Sequence, residues 1–202
     1  MRVGVFGAGG RMGSAVCRAV SADPDLTLAA AVDPHHTGLD LRQVAGVETG
    51  GLQVAADASA FTREGVEVVV DFTDIAAARK NLRWCADAGV HAVVGTTGFT
   101  DDDFASLRTA FEASSANCFV APNFAIGAVL MMRFAELAAP WFETAEVIEL
   151  HHDDKLDAPS GTAMHTVERM AAASSEWGAD PTKTVVVPGA RGGVGPGGIH
   201  VH

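Results

Sequence analysis

Residues 2–6 form a short apolar run rich in β-branched side chains, and Gly7-Ala8-Gly9-Gly10-Arg11-Met12-Gly13 follows at once. A helical period then runs from Met12 to Ser21, with Ala15, Val16, Ala19 and Val20 on one face. Strand, glycine loop and helix in that order constrain the fold more than any other feature of the chain. One glycine makes the tight turn, a second lets the backbone approach a pyrophosphate, and a third lets helix and strand pack closely. The helix start then offers N–H donors and a partial positive charge to an anion. Gly7, Gly10 and Gly13 fall three apart and Gly9 is extra, so the spacing departs from Gly-x-Gly-x-x-Gly. Asp33 lies 20 residues beyond Gly13, at the end of the next apolar run. An acid there is placed to hydrogen-bond the adenine ribose of a dinucleotide. A glycine-rich turn without a ligand is the rival reading, and the strand, helix and acid together weigh against it.

The same alternation continues. Apolar strands are expected at residues 26–32, 67–72, 90–94 and 117–121. Residues 76–88 read as a helix with Ala78, Leu82, Cys85 and Ala86 inward, Asp74 as its cap and Gly89 just past its end. Thr100 and Asp103 form a capping pattern before a helix carrying Phe104, Leu107 and Phe111 at core spacing. Residues 35–60 are irregular and read as loop with one short strand. This β-α-β-α order predicts an α/β fold, with a doubly wound parallel sheet covered by helices on both faces.

A second half begins near Asn123. A helix is expected over 125–139, ending before Pro140, and a strand over 144–150. Ser160 opens a helix with Ala163, Val167, Met170 and Ala171 inward, and 183–187 reads as a strand. Residues 188–198 form a Gly/Pro-rich, ligand-facing loop. Residues 199–202 read as the start of a strand with no closing helix, so the second domain is expected to be incomplete at its C-terminus.

Charge narrows the partners. Lys plus Arg number 14 and Asp plus Glu 25, for a net charge of −11. So acidic a chain is a poor candidate for nucleic-acid binding, which depends on neutralising phosphates. The longest apolar run, 125–132, is too short for a membrane span, and glycines break up any leader-like core at the N-terminus. Cys17, Cys85 and Cys118 form no Cys-x-x-Cys pair and read as small apolar side chains of a reducing compartment. A soluble, cytoplasmic protein is expected.

Two further motifs bear on chemistry. Gly95-Thr96-Thr97-Gly98 follows a strand and suits a nicotinamide ribose as well as it suits an ordinary strand–helix turn. Glu149-Leu150-His151-His152-Asp153-Asp154-Lys155-Leu156-Asp157-Ala158-Pro159-Ser160-Gly161-Thr162 gathers two imidazoles, an ammonium and a helix start. That helix start can hold a carboxylate, Lys155 supplies fixed positive charge, and a histidine can move a proton near neutrality. Such a set suits a small anion that is both reduced and protonated. A shared metal is awkward, because adjacent strand residues point to opposite faces, and no metal is assigned. A charged surface loop with Ser160 merely capping a helix remains the bland alternative. Asp33 favours NADH over NADPH by repelling a 2′-phosphate, whereas Arg11, with His35 and His36 if protonated, offsets that repulsion. Use of both dinucleotides is expected.

The GAGGRMG loop, Gly95-Thr96-Thr97-Gly98, Ala121-Pro122-Asn123-Phe124 and the Glu149–Thr162 motif together resemble the dihydrodipicolinate reductase family, in the family's own order. The resemblance implies an NADH- or NADPH-dependent oxidoreductase that reduces 4-hydroxy-tetrahydrodipicolinate to tetrahydrodipicolinate, with loss of water, in the diaminopimelate route to lysine. It implies cofactor contacts at Gly7, Ala8, Gly9, Gly10, Arg11, Met12, Asp33, Gly95, Thr96, Thr97, Ala121, Pro122, Asn123 and Phe124. His151 and Lys155 match the proton-transfer positions, and His152, Ser160, Gly161 and Thr162 match the site of a small dicarboxylate substrate. It implies a Rossmann-type dinucleotide domain over 1–123 and an α+β substrate and oligomerisation domain over 124–202. Family members continue beyond this chain's last residue, and the additional part completes a sheet that builds a homotetramer. The competing reading is a nucleotide-sensing module without catalysis, which leaves the His151–Lys155–Thr162 cluster unexplained.

Overall fold

The structure, a computed structural model, describes residues 1–121, 123–151, 153 and 158–202. The expected site residues Pro122, His152 and Lys155 lie outside the described residues. Two units divide the chain, Met1–Ala121 and Pro122–His202.

In the first unit β1 (Arg2–Phe6), β2 (Thr27–Val32), β3 (Val68–Asp71), β4 (His91–Val94) and β5 (Cys118–Val120) form one sheet in the order β2-β1-β3-β4-β5. Every neighbouring pair is parallel. Parallel neighbours need crossovers. α1 (Arg11–Ala22) joins β1 to β2, and α2 (Leu41–Ala45) and α3 (Ser59–Arg63) lie between β2 and β3. α4 (Ile75–Ala88) and α5 (Asp101–Glu112) make the remaining two crossovers. Strand side chains alternate, so both sheet faces carry core. Val5 and Ala31 pack with Cys17 and Leu41, while Phe6, Val32 and Val69 pack with Phe61 and Leu82. The strand order reverses between β1 and β3, and such a switch point opens a crevice at the carboxyl ends of the strands.

Most sequence patterns survive folding, and the departures have physical causes. α4 buries the expected Ala78, Leu82, Cys85 and Ala86, with Asp74 capping its start and Gly89 in the left-handed region at φ 68°. α1 instead buries Gly13, Cys17 and Val20, and Ala19 is exposed. The close approach of Gly13 to the Gly7 carbonyl sets the phase of that helix. Phe104 is exposed, and Leu107 and Phe111 carry α5 onto the core. The irregular stretch after Asp33 holds two five-residue helices, too short to show a period. Its bridges, Val32 to Ala55 and Asp40 to Gln53, are isolated pairs. All three cysteines are free. Burial pushes the Cys17 and Cys118 thiols up to about 11, and Cys85 higher still. They therefore behave as small apolar groups.

The second unit holds α6 (Ile126–Ala138), a 3₁₀ turn (Ala139–Trp141), β6 (Glu146–Val147), α7 (Gly161–Ala173), β7 (Gly193–Val194) and β8 (His200–Val201). Its sheet runs β6-β8-β7, with β6 parallel and β7 antiparallel to β8. Val147, Ala163, Val167, Ile199 and Val201 form a small core. Glu136 accepts from Arg169 Nε at 3.0 Å and lies 3.1 Å from Arg133, tying α6 to α7. The strand expected over 144–150 shrinks to two residues. The Val185–Val187 run is exposed and in no strand. The Gly/Pro-rich loop instead supplies β7, and β8 is paired on both sides. A β-branched run becomes a strand only where a sheet edge accepts it. Among the described residues no helix is long and apolar enough to cross a membrane.

Candidate active site

Gly7 turns the chain out of β1 at φ 68°. Its N–H donates to the Val32 carbonyl at 2.8 Å, and its own carbonyl accepts from Gly10 at 2.9 Å. A Cβ on Gly13 would stand 1.9 Å from that carbonyl oxygen, which no relaxation of a side chain relieves. The first-turn N–H groups of α1 have no intrahelical acceptor, and no side chain caps them. This is an open donor set at a positive helix end, and it fits a pyrophosphate.

Asp33 closes the loop from the β2 side. Its Oδ2 accepts from Gly9 N–H at 2.8 Å and lies 3.1 Å from His36 Nδ1. Its Oδ1 accepts from His35 N–H at 3.0 Å, starting the 3₁₀ turn Pro34–His36. Burial works to raise this carboxyl, but the Gly9 and His35 donors and the neighbouring His36 outweigh it, and the net shift is below the usual range. A carboxylate accepts about four hydrogen bonds, so room remains for a ribose hydroxyl. The residues fit a dinucleotide. His36 also packs over Gly9, where a Cβ would come within 2.3 Å of its ring.

Gly95, Thr96 and Thr97 follow β4, and Ala121 follows β5, where its N–H donates to Val94 at 3.0 Å. All these loops lie at the carboxyl edge of the same parallel sheet. The β3 loop between them, Phe72 and Thr73, escaped the sequence reading. Thr96 Oγ1 donates to the Thr73 carbonyl at 2.8 Å, and a Cβ on Gly95 would meet the Phe72 ring at 1.9 Å. Buried Asp71 fixes this loop, accepting from Thr73 N–H at 2.7 Å, Thr73 Oγ1 at 2.6 Å and Asn81 Nδ2 at 2.8 Å. The signal was available: residues just past a parallel strand line the crevice whether or not they carry glycine.

The second unit has its own cleft, of about 560 Å³. His151, Ser160, Thr162 and Asn123 line it. Ser160 caps α7 by accepting from Ala163 N–H at 3.1 Å. The N–H groups of Gly161 and Thr162 belong to the same helix start. Asn123 accepts from Ala125 N–H at 2.8 Å and donates to Thr162 Oγ1 at 3.3 Å, so it is placed beside the expected substrate residues. Phe124 is exposed. Glu149 is not among the site residues expected from the sequence, although residues two apart on an extended strand share a face. Its Oε1 accepts from Ser160 N–H at 2.7 Å, and its Oε2 lies 3.5 Å from His151 Nδ1. The cleft thus offers an imidazole, hydroxyls and a helix N-terminus, a set suited to binding a carboxylate and moving a proton.

Comparisons with known proteins agree with this architecture. The family model "Dihydrodipicolinate reductase, N-terminus" matches residues 1–124, and "Dihydrodipicolinate reductase, C-terminus" matches residues 127–202. A 4-hydroxy-tetrahydrodipicolinate reductase from Cutibacterium acnes is 46% identical over 207 residues, covering 100% of this chain and 74% of the relative. One from Thermobifida fusca is 47% identical over 206 residues, with the same coverage of 100% and 74%. Among solved structures, a dipicolinate-bound dihydrodipicolinate reductase from Paenisporosarcina sp. TG-14 superposes with a TM-score of 0.77 at 36% identity, covering 100% of this chain and 77% of that one. The WlbA dehydrogenase of Bordetella pertussis, at 18% identity and a TM-score of 0.57 over 73% of this chain and 46% of its own, shares the fold. The chain belongs to the dihydrodipicolinate reductase family.

Proposed function

We propose that the chain catalyses the NAD(P)H-dependent reduction of 4-hydroxy-tetrahydrodipicolinate to tetrahydrodipicolinate, with loss of water, in the diaminopimelate route to lysine. The observation that carries this reading is the His151–Ser160–Thr162 cleft in a chain that both halves of the family model match. That one relative is described as bound to dipicolinate, a pyridine dicarboxylate, supports a small dicarboxylate substrate.

The nicotinamide dinucleotide, when bound, supplies a hydride. Gly7, Ala8, Gly9, Gly10, Arg11 and Met12 hold the pyrophosphate by backbone donors, and Asp33 accepts from the adenine ribose. Gly95, Thr96, Thr97 and Ala121, with Pro122, Asn123 and Phe124, shape the nicotinamide side. The helix start at Ser160, Gly161 and Thr162 holds one substrate carboxylate, and His152 adds a donor. His151 and Lys155 move the protons that accompany reduction and loss of water. Both dinucleotides serve, because Asp33 disfavours a 2′-phosphate while Arg11 and His36 favour it. The protein acts in the cytoplasm as a homotetramer.

The test is NAD(P)H oxidation with substrate formed freshly from pyruvate and aspartate semialdehyde. Turnover that pyridine-2,6-dicarboxylate inhibits competitively supports the reading. Dinucleotide binding without turnover favours either the sensing module or a need for the further length that the relatives carry, and the same assay on a chain extended to that length decides between the two. Lys155→Met is expected to lower kcat by about 10²-fold or more, in the range of a lost proton-transfer group, with dinucleotide affinity unchanged. A large loss of that affinity would contradict this division of roles.

A further inference from the structure

Among the described residues, the carboxylate of Glu149 reaches both the imidazole and the helix start of the substrate cleft. It stands two residues before His151, and its N–H donates to the His202 carbonyl at 2.9 Å, which anchors the segment to β8. Its side chain is 16% exposed. One oxygen holds Ser160 N–H at 2.7 Å and the other faces His151 Nδ1 at 3.5 Å. A half-buried negative charge beside a site for a dianion is unfavourable unless neighbours offset it. Among the described residues the proton-transfer imidazole is one such neighbour. At 3.5 Å the two face each other without a hydrogen bond, and because a carboxylate offers only acceptors and negative charge, it favours a hydrogen on Nδ1. The neutral ring then presents its lone pair at Nε2, and the charged ring presents an N–H there.

We infer that Glu149 is a positioning residue that holds His151 in the Nδ1–H tautomer, with Nε2 free to take and give the proton, and ties that ring to the carboxylate-binding start of α7. This inference rests on the role of His151 given above. The Ser160 bond fixes the carboxylate at a helix N-terminus, where its charge is favoured. It therefore sets the distance from imidazole to carboxylate site through a single side chain.

Glu149→Gln separates the two tasks. The amide oxygen still accepts from Ser160, but the amide NH₂ now donates to His151 Nδ1, which moves the ring hydrogen to Nε2. The neutral ring then cannot take a proton at Nε2. The expected result is a fall in kcat of about 10²-fold, with KM for the dicarboxylate changed by less than about threefold and the melting temperature retained. Nitrogen-15 spectra of the imidazoles, assigned by their loss in His151→Gln, read the tautomer without turnover. Wild type is expected to show Nδ1–H and Glu149→Gln to show Nε2–H. Glu149→Asp, too short to span both partners, is expected to recover part of kcat.

A wild-type spectrum showing Nε2–H overturns the inference without any change at Glu149. So does a Glu149→Gln protein with unchanged kcat, which would leave Glu149 as a helix-start tie only. Wild-type turnover in His151→Gln instead overturns the assigned role of His151, so the two failures are told apart.

Discussion

At the scale of single residues, the proposed dinucleotide site is set by where a Cβ is forbidden and where one carboxylate is tied. Gly13→Ala would place a methyl 1.9 Å from the Gly7 carbonyl oxygen. Overpacking against backbone costs about 1–3 kcal/mol or more, so a clear drop in melting temperature and loss of dinucleotide binding by fluorescence titration are expected. Asp33→Asn keeps an oxygen for Gly9 and removes the charge facing a 2′-phosphate. Removing about 1 kcal/mol of repulsion at a few ångströms in a high-dielectric site raises the NADPH-to-NADH ratio of kcat/KM by about fivefold. The Asp33 carboxyl lies below its ordinary value of 3.8 in the folded state. Its contribution to stability is therefore full above that pH and is lost as pH falls below it. Thermal melts between pH 2.5 and 5 should show a shallower acid limb in Asp33→Asn. The glycine turn and the acid that follows β2 were legible because their pattern is local. Thr73 and Glu149 were not among the expected site residues, because ordinary residue types gain their roles from neighbours 23 and 11 positions away.

At the scale of elements, caps were more legible than strands. Thr100 accepts from Asp103 N–H at 3.2 Å while Asp103 Oδ2 accepts from Thr100 N–H at 2.8 Å, a complete capping box. Arg79 adds a bidentate pair to the same carboxylate, 2.8 and 2.7 Å, and holds its pKa well below the usual range. Thr100→Ala is expected to cost about 1 kcal/mol, the typical worth of an N-cap, seen as faster amide exchange in the first turn of α5. A cap is written within four residues. A strand needs a partner, so Val185–Val187 has the β-branched composition and no ladder, while Gly193–Val194 has the ladder without the composition.

At the scale of the whole molecule, the two units differ in how much core they own. Met1–Ala121 buries apolar groups on both faces of a five-stranded sheet. Among its described residues the second unit has a three-stranded sheet and one small cluster. Burial scales with size and with covered faces. Residues 1–121 expressed alone are expected to fold cooperatively and bind NADH, whereas 122–202 alone melts at lower temperature; calorimetry on the two pieces checks this. The sequence by itself determined the alternating α/β order, the glycine loop with its acid, and the histidine-rich motif, because each depends on short-range period or fixed spacing. Only the tertiary structure decided which strands pair, that β8 lies between β6 and β7, and that Glu149 joins His151 to Ser160. Those depend on segments far apart in the chain meeting at one edge or in one cleft, and no local pattern encodes that meeting.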